Sequence, residues 1–358
     1  MTIEARFLLR REDFTLDVDL HIPAQGITAI FGRSGCGKTT LLRAIAGLER
    51  TQTGYFKIAD QVWQNDKVFL PPHKRAIGYV FQEASLFDHL NIQKNLEYGL
   101  KRLAKNQRKV SLDQAITLLG IGHLLQRKPY QLSGGEQQRV AIARALVVSP
   151  AMLLMDEPLA ALDMSLKQEI LPYLETLHQE LDIPVLYVTH SRHEIALLAN
   201  YLVLLEAGRV QAKGTLREVF ARLDLPLAHQ FDTETVIEGT ISGHDDHFQL
   251  SFLDFPGGRF TIARNNLQIG NKARLQVLAR DVSITLERQE QTSILNIFPA
   301  TVKQIADEGQ SQTTVKLMLG NIPLLSRITR KSAIDLALEP NKEVFVQVKS
   351  VALLKNVG

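Results

Sequence analysis

A glycine-rich segment has the residue types and spacing that hold a nucleoside triphosphate. Residues 32–39, GRSGCGKT, match the pattern G-x-x-x-x-G-K-[ST] and lie between a β-branched run and a helical pattern. Glycines let successive backbone N–H groups turn toward phosphate oxygens, and a helix N-terminus adds its positive end. We expect Lys38 to reach the β- and γ-phosphates and the Thr39 hydroxyl to ligate Mg²⁺. The residues expected around the phosphates are Gly32, Arg33, Ser34, Gly35, Cys36, Gly37, Lys38, Thr39 and Thr40.

Two adjacent carboxylates follow an apolar run further along the chain. The run at 152–155 predicts a buried strand, and Asp156 and Glu157 come directly after it. Open α/β sheets bind ligands at the carboxyl ends of their strands. We expect Asp156 to hold Mg²⁺ through its water shell and Glu157 to polarise the water that attacks the γ-phosphate. A polar strand end that faces solvent is the alternative interpretation.

A second phosphate-binding surface is predicted between these two motifs. Residues 132–136, LSGGE, precede an alanine-rich helical run that continues to Leu146. A hydroxyl and two glycines at a helix N-terminus form an anion-binding surface. The residues of this surface are Ser133, Gly134, Gly135 and Glu136.

These three motifs together resemble those of the ATP-binding cassette family. The family's signature is usually written L-S-G-G-Q, and Glu136 takes its last place here. The resemblance implies a homodimer in which this surface closes over the ATP of the partner subunit. It also implies that Gln82 contacts Mg²⁺ and the attacking water, and that Asp163 lies at the dimer interface. His190 would contact the γ-phosphate and orient Glu157.

Two alternatives remain open, one for the aromatic residue that stacks on adenine and one for the role of Cys36. The family stacks adenine on an aromatic residue from its first strands, and Phe7 and Phe14 both fit that description. Either side chain is equally compatible with the hydrophobic core. Cys36 fits as a small residue in a crowded loop, whereas the neighbouring Lys38 could lower the pKa of its thiol and make it reactive.

The elements that must position these motifs alternate between strands and helices. Short β-branched runs at 27–31, 76–81, 151–155, 184–189 and 201–206 are separated by helical patterns. This alternation predicts an α/β domain with a largely parallel sheet. We therefore expect an α/β P-loop NTPase fold, the nucleotide-binding domain of a cassette ATPase, over residues 1–230. The boundary is expected near residue 230, in a polar segment that contains Pro226.

The pattern changes to period-two runs after this boundary. Turn signals separate the runs, which predicts a β-rich connecting region at 231–288 and a third unit at 289–358. Residues 291–299 (QTSILNIFP) and 347–352 (QVKSVA) resemble the two ligand-contacting segments of a small domain that binds molybdate and related oxyanions. The resemblance implies a C-terminal OB-like oxyanion-binding domain of the Mop/TOBE type.

The oxyanion site implied by this resemblance uses hydroxyl, backbone and ammonium donors. Its residues are Thr292, Ser293, Lys349 and Ser350. Such donors suit a tetrahedral dianion. The family pattern often has arginine where this sequence has Leu295, and the substitution removes a fixed cation with five donors. We therefore expect weak or absent oxyanion binding, and a structural dimerisation domain without a ligand is the alternative.

Composition and charge exclude several classes of protein. The 358 residues are 45% hydrophobic and 22% charged, which is typical of globular proteins and excludes collagen, coiled coil and disorder. A formal charge of +3 is far from the basic surface of a nucleic-acid binder, so we expect no nucleic-acid partner. No secretory signal is expected, and the most apolar stretch, 195–205, is shorter than the roughly 20 residues of a spanning helix.

One cassette domain with a β-rich extension has the layout of an importer ATPase. The resemblance implies ATP and Mg²⁺ as cofactors and a membrane permease dimer and a periplasmic or extracellular substrate-binding protein as partners. It implies peripheral association with the cytoplasmic face of the inner membrane, where ATP hydrolysis powers uptake of molybdate or tungstate. ATPase subunits of sulfate, iron(III) or sugar importers are the alternative, since the cassette itself never meets the substrate. A soluble non-transport cassette ATPase is less favoured, because paired cassettes or a coiled-coil insertion would then be expected.

Overall fold

A computed structural model divides the chain into two units, Met1–Gly214 and Thr215–Gly358. The structure describes residues 2–103, 109–180, 183–225 and 233–357. The boundary expected near residue 230 falls in residues 226–232, outside the described residues. The division lies before that segment, because the short helix after Gly214 packs against the first strand that follows it.

The first unit is built on one mixed sheet of ten strands. Its strands are β1 (Thr2–Arg11), β2 (Phe14–Pro23), β3 (Ile27–Phe31), β4 (Thr53–Ile58), β5 (Gln61–Gln64), β6 (Ile77–Val80), β7 (Met152–Asp156), β8 (Val185–Thr189), β9 (Tyr201–Glu206) and β10 (Arg209–Thr215). Its helices are α1 (Lys38–Ala46), α2 (Ile92–Leu100), α3 (Leu112–Leu118), α4 (Gly134–Leu146), α5 (Met164–Glu180) and α6 (Arg192–Leu198). The strand order is β5-β4-β1-β2-β10-β9-β3-β8-β7-β6.

Parallel pairing brings the carboxyl ends of the central strands to one edge of this sheet. β3 lies between β8 and β9, and β7 lies between β8 and β6. Phe31 pairs with Thr189, and Asp156 pairs with Val188. Every residue of β7 and β8 is buried, as expected of parallel strands that are covered on both faces. The residues that follow β3, β7 and β8 therefore emerge side by side.

A continuous core anchors both ends of the glycine-rich loop. Leu41, Leu42 and Ile45 of α1 are fully buried in a cluster that also contains Ile30 of β3 and Val188 of β8. Burying such a side chain stabilises a fold by about 1.5–3 kcal/mol. The loop between β3 and α1 is thus held by packed elements on both sides.

In its described residues, 215–225 and 233–357, the second unit contains two five-stranded sheets and two short α-helices. Its elements are α7 (Leu216–Phe220), β11 (Glu234–Asp245), β12 (Leu250–Phe255), β13 (Gly258–Ala263), β14 (Lys272–Leu278), β15 (Val282–Thr285), β16 (Asn296–Glu308), β17 (Gln312–Leu319), β18 (Ile322–Thr329), α8 (Arg330–Asp335), β19 (Glu343–Val348) and β20 (Ala352–Val357). The strand orders are β13-β12-β11-β14-β20 and β15-β19-β16-β17-β18. All pairs in these two sheets are antiparallel.

The boundary expected between residues 288 and 289 does not separate two units in the structure. β15 pairs with β19, and β20 pairs with β14, so each region gives a strand to the sheet of the other. One core joins Ile237 and Leu275 from the earlier region to Val315 and Val346 from the later one. Regions this short bury too little apolar surface alone, which is the physical reason for the shared core.

Candidate ATP-hydrolysis site

The glycine-rich loop runs from β3 to α1 with a tightly packed backbone. Gly35 and Gly37 have φ values of 80° and 104°, a conformation that residues with a Cβ rarely adopt. At Gly32 a Cβ would lie 2.2 Å from the carbonyl oxygen of Leu205 on β9, so a side chain does not fit there. The exposed loop residues are Arg33, Ser34 and Gly35. The loop backbone therefore requires glycine at positions 32, 35 and 37, and its role as a phosphate site stays a prediction.

Lys38 is the first residue of α1, and its side chain is only 5% exposed. Its Nζ donates hydrogen bonds to the carbonyl oxygens of Gly32 at 2.9 Å and Arg33 at 3.3 Å. It also lies 3.4 Å from Glu157 Oε1. A nearly buried ammonium group must be paired and hydrogen-bonded, and these three oxygens meet that requirement. The charge of Lys38 is thus held at the N-terminus of α1, where anions bind.

Asp156 ends β7 and is 8% exposed. The Thr39 hydroxyl donates to Asp156 Oδ1 at 2.9 Å, and the Tyr79 hydroxyl donates to Oδ2 at 3.2 Å. Burial raises the pKa of Asp156 above its ordinary value, although both hydrogen bonds oppose the shift. Burial and the charge of Asp156 also raise the pKa of Tyr79, so its phenol remains a donor. Two of the three residues expected to contact Mg²⁺, Thr39 and Asp156, are therefore joined by a hydrogen bond.

Glu157 has a positive φ of 46°, which is costly for a residue with a side chain, by about 1–3 kcal/mol. Its N–H donates to the carbonyl oxygen of Val188 at 3.0 Å, which fixes this backbone against β8. Its carboxylate lies between Lys38 and His190, whose Nδ1 is 3.1 Å from Oε2. Such strain clusters at functional sites. The structure thus brings together the lysine, carboxylate and histidine that the sequence singled out.

Gln82, Asp163 and the 133–136 segment lie outside this cluster. Gln82 is exposed and comes two residues after the end of β6. Asp163 accepts a hydrogen bond from the N–H of Leu166 at 2.9 Å and so caps α5. Within the described residues, no hydrogen bond or ion pair joins Gln82, Asp163 or residues 133–136 to Lys38 or Glu157. Their expected roles stay predictions.

Ser133 caps α4 and forms a reciprocal capping box with Glu136. The N–H of Glu136 donates to Ser133 Oγ at 3.3 Å, and the N–H of Ser133 donates to Glu136 Oε2 at 2.8 Å. Burial raises the pKa of Glu136, but hydrogen bonds from Ser133 and the charges of Arg127 and Arg139 outweigh it and lower the pKa overall. Glutamate and glutamine both serve at this position of a capping box. The exchange of Gln for Glu therefore preserves the start of the helix.

The structure separates the two aromatic candidates for adenine stacking. Phe7 is 2% exposed and stacks on Phe56 in the core, with ring centroids 6.5 Å apart. Phe14 is half-buried at the start of β2. A Cβ on Gly37 would lie 2.6 Å from its Cζ, so the ring lies against the glycine-rich loop. Of the two, Phe14 is the one beside the predicted triphosphate site.

Cys36 is buried in the glycine-rich loop. Burial raises the pKa of its thiol and outweighs the nearby charge of Lys38, which would lower it. Thiols are reactive as thiolates, so this environment makes the side chain less reactive. The interpretation of Cys36 as an activated thiol is therefore wrong.

The two segments expected to bind an oxyanion lie side by side in the second unit. Asn296 pairs with Val348 in the antiparallel register of β16 and β19, so residues before Asn296 lie opposite residues after Val348. Leu295 is 65% exposed at this end of the strands. The four expected donors, Thr292, Ser293, Lys349 and Ser350, are all exposed. A ligand role for them stays a prediction.

Known proteins resemble this chain along its whole length. A family model described as ABC transporter matches residues 15–160, and one described as TOBE domain matches residues 292–354. The molybdenum import ATP-binding protein ModC of Methylococcus capsulatus is 55% identical over 354 residues, which cover 99% of both chains. ModC 1 of Azotobacter vinelandii is 53% identical over 98% of both chains. The chain belongs to the ModC family of molybdenum import ATP-binding proteins.

Solved cassette structures match about three fifths of this ModC-family chain. One is cbiO1 of Clostridium perfringens, part of the ABC transporter complex cbiONQ, with a TM-score of 0.53 and 27% identity. It covers 62% of this chain and 90% of its own. Another is the dimeric cassette MJ0796 bound to ADP and Pi, with a TM-score of 0.51 and 27% identity over 60% of this chain and 99% of its own. The predicted fold class is confirmed, and the chain is an ABC ATPase that binds and hydrolyses ATP.

Sequence reasoning missed one side chain that contacts the site and two buried charged residues that hold neighbouring elements. Tyr79 holds Asp156, and Arg75 donates to the carbonyl oxygens of Ala44 and Ile45 at the C-terminus of α1. Burial lowers the pKa of Arg75 to about 10. Glu194 is buried in α6. For Arg75 and Glu194 the available signal was a charged residue beside an apolar run, since buried charges are rare unless paired or otherwise satisfied. Tyr79 gave no such signal.

Among the described residues, no helix is long and apolar enough to cross a membrane.

Proposed function

We propose that this chain is the ATP-hydrolysing subunit of a molybdate importer, with tungstate as a second cargo. The observation that carries the proposal is the 52–55% identity to ModC proteins over nearly the whole chain. A cassette alone does not distinguish one cargo from another, because it never meets the substrate. The identity extends through the C-terminal TOBE region, which favours an oxyanion importer over sugar or iron importers.

Lys38 and the loop around it would bind the triphosphate of ATP. Loop N–H groups and the N-terminus of α1 attract phosphate oxygens, and Thr40 continues this surface on the helix. The pairing of Lys38 with Glu157 supports an exchange of partners, in which phosphate oxygens take the ammonium group and release the carboxylate. Phe14 would stack on adenine, since its ring lies against Gly37.

The donor set offered by Thr39 and Asp156 fits Mg²⁺, and Gln82 would add a third oxygen. In the part of the chain that is described, no group of three or more His, Cys, Asp or Glu could hold a metal alone. This fits Mg²⁺, which is usually held by one or two carboxylates together with water and substrate phosphates. When bound, the ion neutralises charge on the phosphates.

Glu157 would polarise the water that attacks the γ-phosphate, assisted by Gln82. Its strained backbone and its contacts to Lys38 and His190 fix the direction of the carboxylate. His190 would orient Glu157 through Nδ1 and contact the γ-phosphate through its other ring nitrogen. A positioned base of this kind contributes about 10²–10⁴-fold to a rate.

Two copies of the chain would complete two sites, each from the loop of one subunit and the signature of its partner. Closed two-fold symmetry suits this arrangement. In the first turn of α4 the N–H of Glu136 donates to Ser133 Oγ, whereas those of Gly134 and Gly135 lack an acceptor within the helix, which supports phosphate binding at the two glycines. The partner-facing residues would be Ser133, Gly134, Gly135, Glu136 and Asp163. A permease dimer and a periplasmic or extracellular substrate-binding protein would complete the importer at the cytoplasmic face of the inner membrane.

The decisive experiment is ATPase activity of the reconstituted transporter, with each ion delivered by its candidate binding protein. Molybdate and tungstate should stimulate hydrolysis, whereas sulfate and iron(III) should leave the basal rate unchanged. Stimulation by sulfate or iron(III) alone would overturn the cargo assignment. Loss of hydrolysis in His190→Ala, with ATP binding retained, tests the assigned chemistry separately from the cargo.

A further inference from the structure

Glu194 is a buried carboxylate that accepts three side-chain hydrogen bonds. It lies on α6 and is 3% exposed. Lys167 Nζ donates to Oε1 at 3.0 Å, and the hydroxyls of Tyr187 and Thr189 donate to Oε2 at 2.9 and 2.7 Å. Burial and then the charge of Glu194 raise the pKa of Tyr187 well above its ordinary value, so this phenol stays a donor. The carboxylate is therefore fully engaged by residues from two other elements.

One side of this network fixes the strand end that carries His190. Thr189 is the last residue of β8 and precedes His190 directly. Its hydroxyl oxygen also accepts a hydrogen bond from the N–H of Ser191 at 3.0 Å, and Ser191 caps α6 through the N–H of Glu194. The backbone on both sides of His190 is thus tied to Glu194. His190 itself contacts Glu157.

The other side of the network fixes the start of α5. Lys167 lies in the first turn of this helix, and its N–H donates to the carbonyl oxygen of Asp163 at 3.0 Å. The Lys167 side chain is mostly buried where it meets Glu194. Asp163, the residue expected at the dimer interface, therefore lies one helical turn from Lys167. Lys167 pairs with Glu194, which also accepts a hydrogen bond from the strand residue before His190.

We propose that Glu194 is a positioning residue for ATP hydrolysis, whose carboxylate holds the His190 strand end and the Asp163 helix end in one arrangement. Because Glu194 bonds both Lys167 on α5 and Thr189 at the end of β8, one carboxylate fixes the segments that carry Asp163 and His190. Buried polar networks specify a single geometry when every member is satisfied. The inference rests on the proposed roles of His190 and Glu157. It adds Glu194 as a residue that acts through other side chains and not by contact with ATP.

A small displacement of His190 is expected to reach the chemistry. A misplacement of about 1 Å, caused by a substitution away from the reacting atoms, can lower a rate by about a hundredfold. Glu194→Gln keeps the size and one acceptor oxygen but loses the charge that meets Lys167. We expect kcat to fall by about ten- to a hundredfold, while KM for ATP stays within about twofold.

The experiment compares Glu194→Gln, Lys167→Met and the double variant in the full-length protein. If the two side chains act through one link, the double variant should have the kcat of Glu194→Gln within about twofold. Glu49→Gln is the matched control, because it removes an ion pair with Arg11 at 2.6 Å that lies outside this network. It should keep the parental kcat. Thermal unfolding of each variant measures whether the fold is intact.

Thr189→Val and Thr189→Ser keep the inference testable if Glu194→Gln does not fold. Valine removes the hydroxyl that meets Glu194, whereas serine retains it, so kcat should fall in the first variant and return in the second. A parental kcat in folded Glu194→Gln or Thr189→Val, or multiplicative losses in the double variant, would overturn the inference. His190→Ala distinguishes failure of the proposed function from failure of this inference. If this variant hydrolyses ATP at the parental rate, the proposed role of His190 in hydrolysis is wrong.

Discussion

The ammonium group of Lys38 lies 3.4 Å from the carboxylate of Glu157, so these two side chains form an ion pair within the site. Lys38 is the first residue of α1, and Glu157 directly follows the last residue of β7. A triphosphate that enters the loop must compete with Glu157 for Lys38. In the proposed mechanism, this ion pair would link ATP binding to activation of the attacking water.

Glu157→Gln should stop hydrolysis but retain ATP binding. The amide keeps the shape of the side chain and loses the basic carboxylate, so kcat should fall by about 10²–10⁴-fold. ATP should bind at least as tightly as in the parent, because the competing charge beside Lys38 and the phosphates is removed. Nucleotide binding, single-turnover hydrolysis and the mass of the ATP complex would be measured. A parental rate of hydrolysis would exclude Glu157 as the catalytic carboxylate.

Lys38→Ala and Ser133→Arg should complement each other if sites form between subunits. Each variant alone should be inactive, the first because it lacks the phosphate-binding charge and the second because its signature surface is blocked. In an equal mixture, random pairing gives mixed dimers with one intact site, so about a quarter of the parental sites should be restored. ATPase activity after subunit exchange measures this. No recovery despite verified exchange would argue against sites shared between subunits.

Phe14→Ala should weaken ATP binding, whereas Phe14→Trp should preserve it. Base–aromatic stacking contributes about 1–3 kcal/mol, so Kd for ATP should rise on the order of tenfold. Phe7→Ala is the contrasting variant, because loss of a buried phenyl ring destabilises a fold by about 3–5 kcal/mol. Calorimetric titration with ATP and thermal unfolding distinguish the two effects. Unchanged affinity in Phe14→Ala would remove Phe14 from the adenine site.

Asp156→Asn should stabilise the protein at pH 7 while it abolishes Mg²⁺-dependent hydrolysis. The pKa of Asp156 is raised from 3.8, first by burial, so the folded state binds the proton more tightly than the unfolded state. Stability therefore falls as pH rises from 3.8 through the folded pKa, and asparagine avoids this loss. The gain in unfolding midpoint should shrink as pH is lowered toward 3.8.

Thermal unfolding without nucleotide or metal measures this difference across the pH range. Asp66→Asn, which changes an exposed carboxylate, is the control and should show little gain. A lower midpoint for Asp156→Asn at pH 7 would mean that the hydrogen bonds from Thr39 and Tyr79 outweigh the cost of burial.

Leu295→Arg should strengthen molybdate binding to the second unit. Leu295 is exposed where residues before Asn296 lie opposite residues after Val348, so a guanidinium there would join the hydroxyl and ammonium donors. Hydrogen bonds to charged groups contribute roughly 1.5–3 kcal/mol, which corresponds to an affinity gain on the order of ten- to a hundredfold. Calorimetric titration of the full-length parent and of Leu295→Arg with molybdate measures the two affinities.

Two results of that titration would contradict the expectation for Leu295. Tight molybdate binding by the parent would show that other groups replace the missing arginine. No binding by either protein would favour a dimerisation domain without a ligand. Leu286→Arg is a control for added charge, because Leu286 is exposed at the end of another strand of the same sheet.

The residues expected to bind phosphates could be found from sequence because their geometry is local. A glycine-rich loop between a strand and a helix carries its donors on consecutive backbone groups, so residues 32–39 indicate a site without knowledge of distant contacts. The same holds for Ser133, whose cap involves only the next three residues. Strands at 27–31 and 201–206 also have the predicted bounds, because a buried parallel strand is a short continuous apolar run.

Tertiary structure alone decided which distant side chains meet. The choice of Phe14 over Phe7 depends on how the β1–β2 hairpin packs, and Tyr79 reaches Asp156 because β6 pairs with β7. The positive φ of Glu157 and the hydrogen-bond partners of Glu194 have no local sequence pattern, since both depend on contacts with β8. In the second unit, β15 and β20 cross the boundary that the sequence suggested. A shared hydrophobic core decides which strands far apart in sequence pair with each other. The alternation of apolar and polar residues along one strand does not identify its partner strand.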